Sequence, residues 1–419
     1  MKSRLSAKQR AFISLLGAFL ITAASGFSGS VPLFYSPVTA EFGFTTAALA
    51  LHVTIMSVCG AVTQPIFGRI MTKHPARLKL LAFIGALVGL MCYFLLSRSS
   101  KLPHFYAVGA VMSILLPIVG SLLGVTVITQ WFHIRRSLAI AIVHMGVSAG
   151  EIIYSQTTRY FIENAGWRAG YISMGLVTFV LAGVGCLLIS SLPEKYGLKP
   201  YGWTAKAESS GPKTALRGFT LKQAIKTPAF WLCAVATAAS CAYVMGVLQS
   251  ILPMLQTDYG FTAALAASVY AIHNVVSAAS KPVGGICYEK FKSTRMIPVV
   301  GALTTASMLT LMLGQNLAAA IAGLVLLGMG NMMSTVIMSS FVAEKFGNRE
   351  YSSIMGCINV AFTLGISLGP IISGGIFDQT GSYRTAYLIF AILIASATIM
   401  MLIADRNVLK CRAKFGIEL

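Results

Sequence analysis

Twelve stretches of this chain are apolar for long enough to cross a bilayer, and that pattern leaves few folds open. A window of about 19 residues finds them near 11–37, 46–68, 78–97, 105–130, 138–161, 170–192, 228–255, 263–287, 296–315, 317–342, 352–376 and 385–404. Hydrocarbon cannot hydrogen-bond a bare N–H or C=O, so apolar spans of this length must be helices that satisfy their own backbones. The first follows Lys2, Arg4, Lys8 and Arg10 and resembles a secretory signal. Its apolar run is too long for one, and eleven more follow.

Composition agrees. Hydrophobic residues make up 56% of the chain and charged residues only 11%, less than half the share a soluble surface needs. A soluble enzyme, a disordered chain and a disulfide-rich secreted domain are excluded. The eight cysteines form no C-x-x-C pair and mostly fall within apolar runs, so no metal site, disulfide framework or cofactor is expected.

The net charge of +20 would suggest nucleic acid in a soluble protein, but its distribution points to a membrane face instead. With the N-terminus taken as cytoplasmic, that side holds 26 Lys and Arg and the other side 5 (Arg98, Lys101, Arg159, Arg168 and Arg384), and the remaining one, Lys281, lies well within a span. The positive-inside rule therefore places both termini in the cytoplasm. The basic face is expected to lie against anionic lipid, with no nucleic-acid partner. Seven of these cations lie in 194–227, the one long polar stretch. It divides an N-terminal six-helix bundle, 1–193, from a C-terminal one, 228–419.

The two halves repeat. At an offset of 217, Glu41-Phe42-Gly43-Phe44-Thr45 falls on Asp258-Tyr259-Gly260-Phe261-Thr262, and Gln64-Pro65 and Gly68 fall on Lys281-Pro282 and Gly285. At 216, Trp167-Arg168 and Tyr171 fall on Tyr383-Arg384 and Tyr387; near 219, Gly146 and Gly150 fall on Gly365 and Gly369. Parallel repeats of this kind place a substrate near the midplane. The expected fold class is an all-α membrane protein, its twelve transmembrane helices forming two pseudo-symmetric six-helix bundles.

These residues resemble the major facilitator superfamily of secondary transporters. After helix 2 that family carries a Gly-x-x-x-Asp-Arg/Lys-x-Gly signature with further basic residues. Here Gly68 is followed by Thr72 at the acidic position, then Lys73 and Arg77, and Pro75 replaces the second glycine. The repeat copy keeps its acid, as Gly285, Glu289 and Lys290. The resemblance implies that these residues, with Arg135 and Arg136, latch helix ends, a role the degenerate first copy puts in question for the N-terminal half. Within the superfamily the chain is most similar to the monocarboxylate transporter and oxalate:formate antiporter branch. That similarity rests on Trp131-Phe132, Arg135-Arg136-Ser137-Leu138-Ala139, Gly166-Trp167-Arg168, Tyr35, Pro37 and Thr227-Pro228-Ala229-Phe230-Trp231.

A charge deep in a bilayer costs about 2.5–3.5 kcal/mol on insertion scales, so it is there for a reason. Lys281, in helix 8, either snorkels to the interface or faces a cavity to pair with a substrate carboxylate. The resembling antiporters carry an arginine at this place before a proline, which favours the second reading. They also carry a lysine in helix 11, where this chain has Cys357-Ile358-Asn359. One cation suits a monoanion better than a dianion.

Glu151, in helix 5, is the one carboxylate well inside a predicted span. It is a structural pair, a proton-coupling group, with His144 seven residues earlier on the same face, or a partner of Lys281. His273 and Asn274, two turns before Lys281, are candidate substrate contacts, as are Tyr35, Tyr154, Asn331 and Asn359. Gln130 and Gln249 are weaker candidates for the same space, and His52 has no argued partner. Each of these is otherwise interhelical glue. Gly146-Val147-Ser148-Ala149-Gly150 and Gly365-Ile366-Ser367-Leu368-Gly369 match the hydrolase G-x-S-x-G pattern. They sit inside apolar helices, however, where small residues serve close packing, and no enzyme is expected.

The expected function is secondary transport of a small, monocarboxylate-like organic anion by alternating access, coupled to a proton or to a counter-anion. Export of larger amphipathic compounds, such as drugs or bile-acid-like anions, is the alternative. A non-transporting sensor is disfavoured because 194–227 is too short and too broken to form an output domain. No Asn-x-Ser/Thr acceptor occurs, which favours a bacterial inner membrane, and the protein is expected to be a monomer.

Overall fold

The computed structural model describes residues 6–190, 192–203 and 218–415, so the middle of the expected linker, 204–217, lies outside the described residues. The described chain is all-helical. It contains ten helices long and apolar enough to cross a membrane. Two of them, Arg136–Leu188 (53 residues) and Ala263–Leu313 (51 residues), would at about 1.5 Å per residue be more than twice the thickness of a bilayer's hydrocarbon core. Each is broken once by a positive-φ residue, Gly166 (φ 81°) in the first and Lys292 (φ 60°) in the second. Each is therefore two spans, and the fold is the expected one of twelve.

The chain forms two compact units. The first is Met1–Ala215 with Glu350–Cys357; the second is Leu216–Arg349 with Ile358–Leu419. In the first unit a Cβ on Gly146 or Gly150 would run into the carbonyls of Phe19 and Ala23. In the second, a Cβ on Gly365 or Gly369 would run into those of Ala238 and Ala242. One offset of 219 maps both contacts of the first unit onto those of the second. The G-x-S-x-G matches are thus sites where one helix backbone rests on another.

The turn before the second and eighth spans repeats equally closely. Gly43 and Gly260 both take φ 69°, a left-handed conformation open to glycine at little cost. Thr45 and Thr262 cap the next helix through Ala48 N–H and Leu265 N–H. The preceding acid reaches across its own unit in each case. Glu41 accepts from the Trp167 indole at 2.6 Å and pairs with Arg168 at 2.7 Å. Asp258 accepts from the Tyr383 backbone N–H at 2.9 Å.

Three spans depart from the uninterrupted helices expected. The first runs as Ala7–Ala23, then as nine residues of 3-10 helix, Gly26–Phe34, then as Tyr35–Phe42. The fourth is divided into Leu102–Met112, Leu115–Ile118 and Ser121–Trp131. The tenth passes from Leu317–Gly330 through a π-helical turn, Met333–Ile337, into Met338–Lys345. Each break frees carbonyls, and polar side chains of neighbouring spans take them up. Tyr154 donates to Ala24 O (3.0 Å), Thr63 to Ser113 O (2.9 Å) and Ser280 to Gly328 O (2.9 Å).

At the basic end of each unit, the fourth or tenth span is joined to the sixth or twelfth. In the first unit the Trp131 indole donates to Ser190 O at 3.2 Å, and Ser190 N–H donates to Ser14 Oγ at 3.0 Å. In the second, Lys345 Nζ lies 2.8 Å from Asp405 Oδ1 and 3.3 Å from Glu344 Oε1. Ser293 and Thr294 donate to the same Asp405 carboxylate. Arg412 donates to the final carbonyls of the tenth span, Glu344 O and Lys345 O. The twelfth span, expected to stop near 404, continues as one helix, Arg384–Phe415. That extension is what carries Asp405 and Arg412 to this joint.

Candidate functional site

In the second unit Lys281 is only 8% exposed. Its neighbours along the helix at four-residue spacing, Ser277 and His273, are buried with it. Asn331 Nδ2 donates to Ser277 Oγ at 3.0 Å, tying the eighth span to the tenth just before the π-helical turn. Ser280 also reaches the tenth span, at Gly328 O. Ser277, Ser280 and Asn331 thus tie the two spans at a helix irregularity, with Lys281 one helical turn after Ser277 on the same helix, and such π-turns frequently mark functional sites. Asn359, in the eleventh span of the same unit, is buried, and its carbonyl accepts from Thr363 at 3.0 Å.

The other sequence candidates are placed differently. His273 is 1% exposed and stacks on Tyr270 at 5.6 Å, and its buried Nδ1 has no hydrogen-bond partner among the described residues. Its neighbour Asn274 is exposed. Tyr154 is fully buried, and its hydroxyl is engaged by Ala24 O and by Thr178 at 2.7 Å. It supports the break in the first span. Tyr35 is half-buried at the start of Tyr35–Phe42. His144 is buried and Glu151 half-buried, the latter with its backbone N against Gly26, where the 3-10 stretch begins. Ser277 and Ser280 were not singled out in the sequence. The available signal was their spacing, four and one residues before Lys281, a cation well within an apolar span.

The latch positions divide in two. In the first unit Gly68 abuts Ser352, where a Cβ would strike the carbonyl. Thr72 accepts from Ser353 N–H at 3.2 Å and from Ser353 Oγ at 2.8 Å. The hydroxyl that replaces the family's acid therefore occupies a bonded position at the start of the helix Tyr351–Thr380. Lys73, Arg77 and Arg135 are exposed, and Arg136 Nε donates to Phe132 O at 3.0 Å. In the second unit Gly285 is buried, Glu289 is half-buried, and Lys290 is exposed with its ammonium 5.4 Å from the Phe291 ring centroid.

The model of the Major Facilitator Superfamily matches residues 15–367 and 299–412, most of the chain. The protein belongs to the major facilitator superfamily. Among relatives of this facilitator, human monocarboxylate transporter 2 is 20% identical over 392 residues, covering 90% of this chain and 82% of its own. The oxalate:formate antiporter of Oxalobacter formigenes is 25% identical over 297 residues, covering 70% and 66%. These relatives agree with the branch read from the sequence. The proton:xylose symporter XylE shares the fold, with a TM-score of 0.73 at 13% identity and coverage of 94% and 95%. The chain is a multi-pass membrane protein of a transporter family.

Proposed function

We propose that this facilitator moves a small, monocarboxylate-like organic anion by exposing its site alternately to the two sides of the membrane. The observation that carries the reading is Lys281, a buried cation one helical turn after Ser277, whose hydroxyl accepts from Asn331 just before the π-helical turn of the tenth span. Asn331 and Asn359 are its polar companions, and a single point charge suits one carboxylate. Glu151, with His144 on the same helix, is the proton-coupling candidate, because inward movement of a monoanion against a negative interior is opposed by about 2.3 kcal/mol per 100 mV. Exchange for a second anion would meet the same demand. Thr72 and Gly68, with Gly285, Glu289 and Lys290 in the repeat, act as latches. Both termini lie in the cytoplasm, and a monomer in a bacterial inner membrane is the working form.

Uptake of a labelled monocarboxylate into proteoliposomes, with and without a pH gradient, tests this reading. Lys281→Ala is expected to lower uptake about tenfold to a hundredfold, the worth of one charge-assisted hydrogen bond, and Lys281→Arg to retain most of it. Unchanged uptake in Lys281→Ala ends the proposal of a cationic site.

A further inference from the structure

In the first unit, toward the end opposite the basic one, the first four spans and the sixth enclose a cavity of about 20 Å³ lined by Phe27, Val31, His52, Tyr93, Met112 and Tyr171, among others. One water molecule needs about 10–15 Å³ by the same kind of measure. The space has room for a single water.

Two of the lining side chains ask for such a guest. Tyr93 is 1% exposed, and its buried hydroxyl has no hydrogen-bond partner, a costly state inside a membrane protein. His52 is also buried, and its Nδ1 contacts the Leu49 carbonyl. A carbonyl only accepts, so Nδ1 carries the hydrogen and Nε2 of the neutral ring is left as the acceptor.

The backbone gives a third indication. Phe27 and Val31 belong to the 3-10 stretch of the first span, and Met112 ends the first segment of the broken fourth. Irregular backbone at membrane depth is tolerated where it is buried in protein or borders water. Among the described residues, the titratable groups lining the cavity are His52, Tyr93 and Tyr171, with Tyr154 and Cys92 near Tyr93, and no Asp, Glu, Lys or Arg lines it.

We propose that this cavity holds one water that bridges Tyr93 to His52, and that His52 is a proton-accepting group of the first unit. Tyr93 donates to the water oxygen, and the water donates to His52 Nε2. A proton arriving through this water is taken up at Nε2, the ring becomes a cation, and the proton leaves by the same water; no other bond changes. His52 lies seven residues after its helix cap, Thr45, and Tyr93 five residues before its helix ends at Arg98. The site is therefore supplied from the end opposite the basic one. The role in coupling rests on the proton-coupled form of the function proposed above; the water site does not.

Imidazole ¹⁵N spectra of the histidine-labelled full chain, with His52→Gln for assignment, test the site from about pH 4 to 8. The expected result is an Nδ1–H tautomer that titrates within this range and whose midpoint moves in Tyr93→Phe. That variant removes one oxygen and keeps the ring. A ring that stays neutral throughout, or a midpoint that Tyr93→Phe leaves in place, overturns the site. In proteoliposomes, His52→Gln is expected to flatten the dependence of uptake on external pH while Lys281-dependent substrate binding at fixed pH persists. An unchanged pH profile beside a titrating, Tyr93-sensitive ring removes the role in coupling and leaves the site. Loss of substrate binding in Lys281→Ala but not in His52→Gln separates the two proposals.

Discussion

The joint at the basic end of each unit has been built twice from different chemistry. Trp131 and Lys345 stand at an offset of 214, Ser190 and Asp405 at 215, and Tyr196 and Arg412 at 216. In the first unit the tie is a neutral hydrogen bond, an indole donating to a backbone carbonyl; Tyr196 lies near the Trp131 ring, with the Arg10 guanidinium 3.9 Å from the Tyr196 centroid. In the second unit it is a buried ion pair, Lys345 being 8% and Asp405 7% exposed, with hydroxyls from Ser293 and Thr294 on the same carboxylate. The pair of glycine contacts along the helices was kept in both units, while the joints diverged. Close approach of backbones tolerates only the smallest residues, whereas a tie between helix ends accepts any complementary pair. The indole–carbonyl bond carries no charge of its own; the ionic tie needs both partners, because removing either strands a charge out of water.

The largest expected effect tests this contrast directly. Lys345→Ala or Asp405→Ala is expected to cost about 3–5 kcal/mol, read as a lower melting temperature in detergent, and the double variant Lys345→Met/Asp405→Leu should recover most of it. Single variants that melt like the parent would show the pair to be ornamental. Trp131→Phe removes a neutral hydrogen bond worth about 1 kcal/mol and part of a fully buried ring besides, and should cost about 2 kcal/mol in all. A loss equal to that of Lys345→Ala would mean that the two joints are equivalent after all.

The smallest effect concerns the exposed turn before the second span. Hydrogen bonds from Arg168 and then Trp167 hold the Glu41 carboxyl below its ordinary value. Its contribution to stability is therefore present above the pKa of the unfolded chain and is lost as pH falls through the lowered folded value. Acid titration of the melting temperature should show a small step in that window that Glu41→Gln removes. A step of equal size in the variant assigns it to another group.

The span count was legible because long apolar runs need no distant partner, and the matched motifs Glu41–Thr45 and Asp258–Thr262 marked the repeated turn, whose left-handed glycine and threonine cap are seen in the structure. Lys281 was legible because a cation within an apolar run is conspicuous. The breaks in the first, fourth and tenth spans were not, since a 3-10 or π segment survives only where Tyr154, Thr63 or Ser280 of another helix takes up the freed carbonyl. Lys345 counted in the sequence as one more loop cation. Its burial depends on Asp405, sixty residues later and beyond the expected end of the last span. Thr72 read as a lost acid, and only the position of Ser353 shows that a hydroxyl serves there.

The nine residues Gly26–Phe34 also carry a mechanical consequence. A 3-10 turn advances about 2.0 Å and 120° per residue against about 1.5 Å and 100° for an α-helix. Rewinding this stretch from one form to the other would shorten the rod by about 4–5 Å and swing everything beyond it, Tyr35 included, through about half a revolution. Such a segment is a crank: a few hydrogen bonds exchanged at its centre turn the far end to the opposite side.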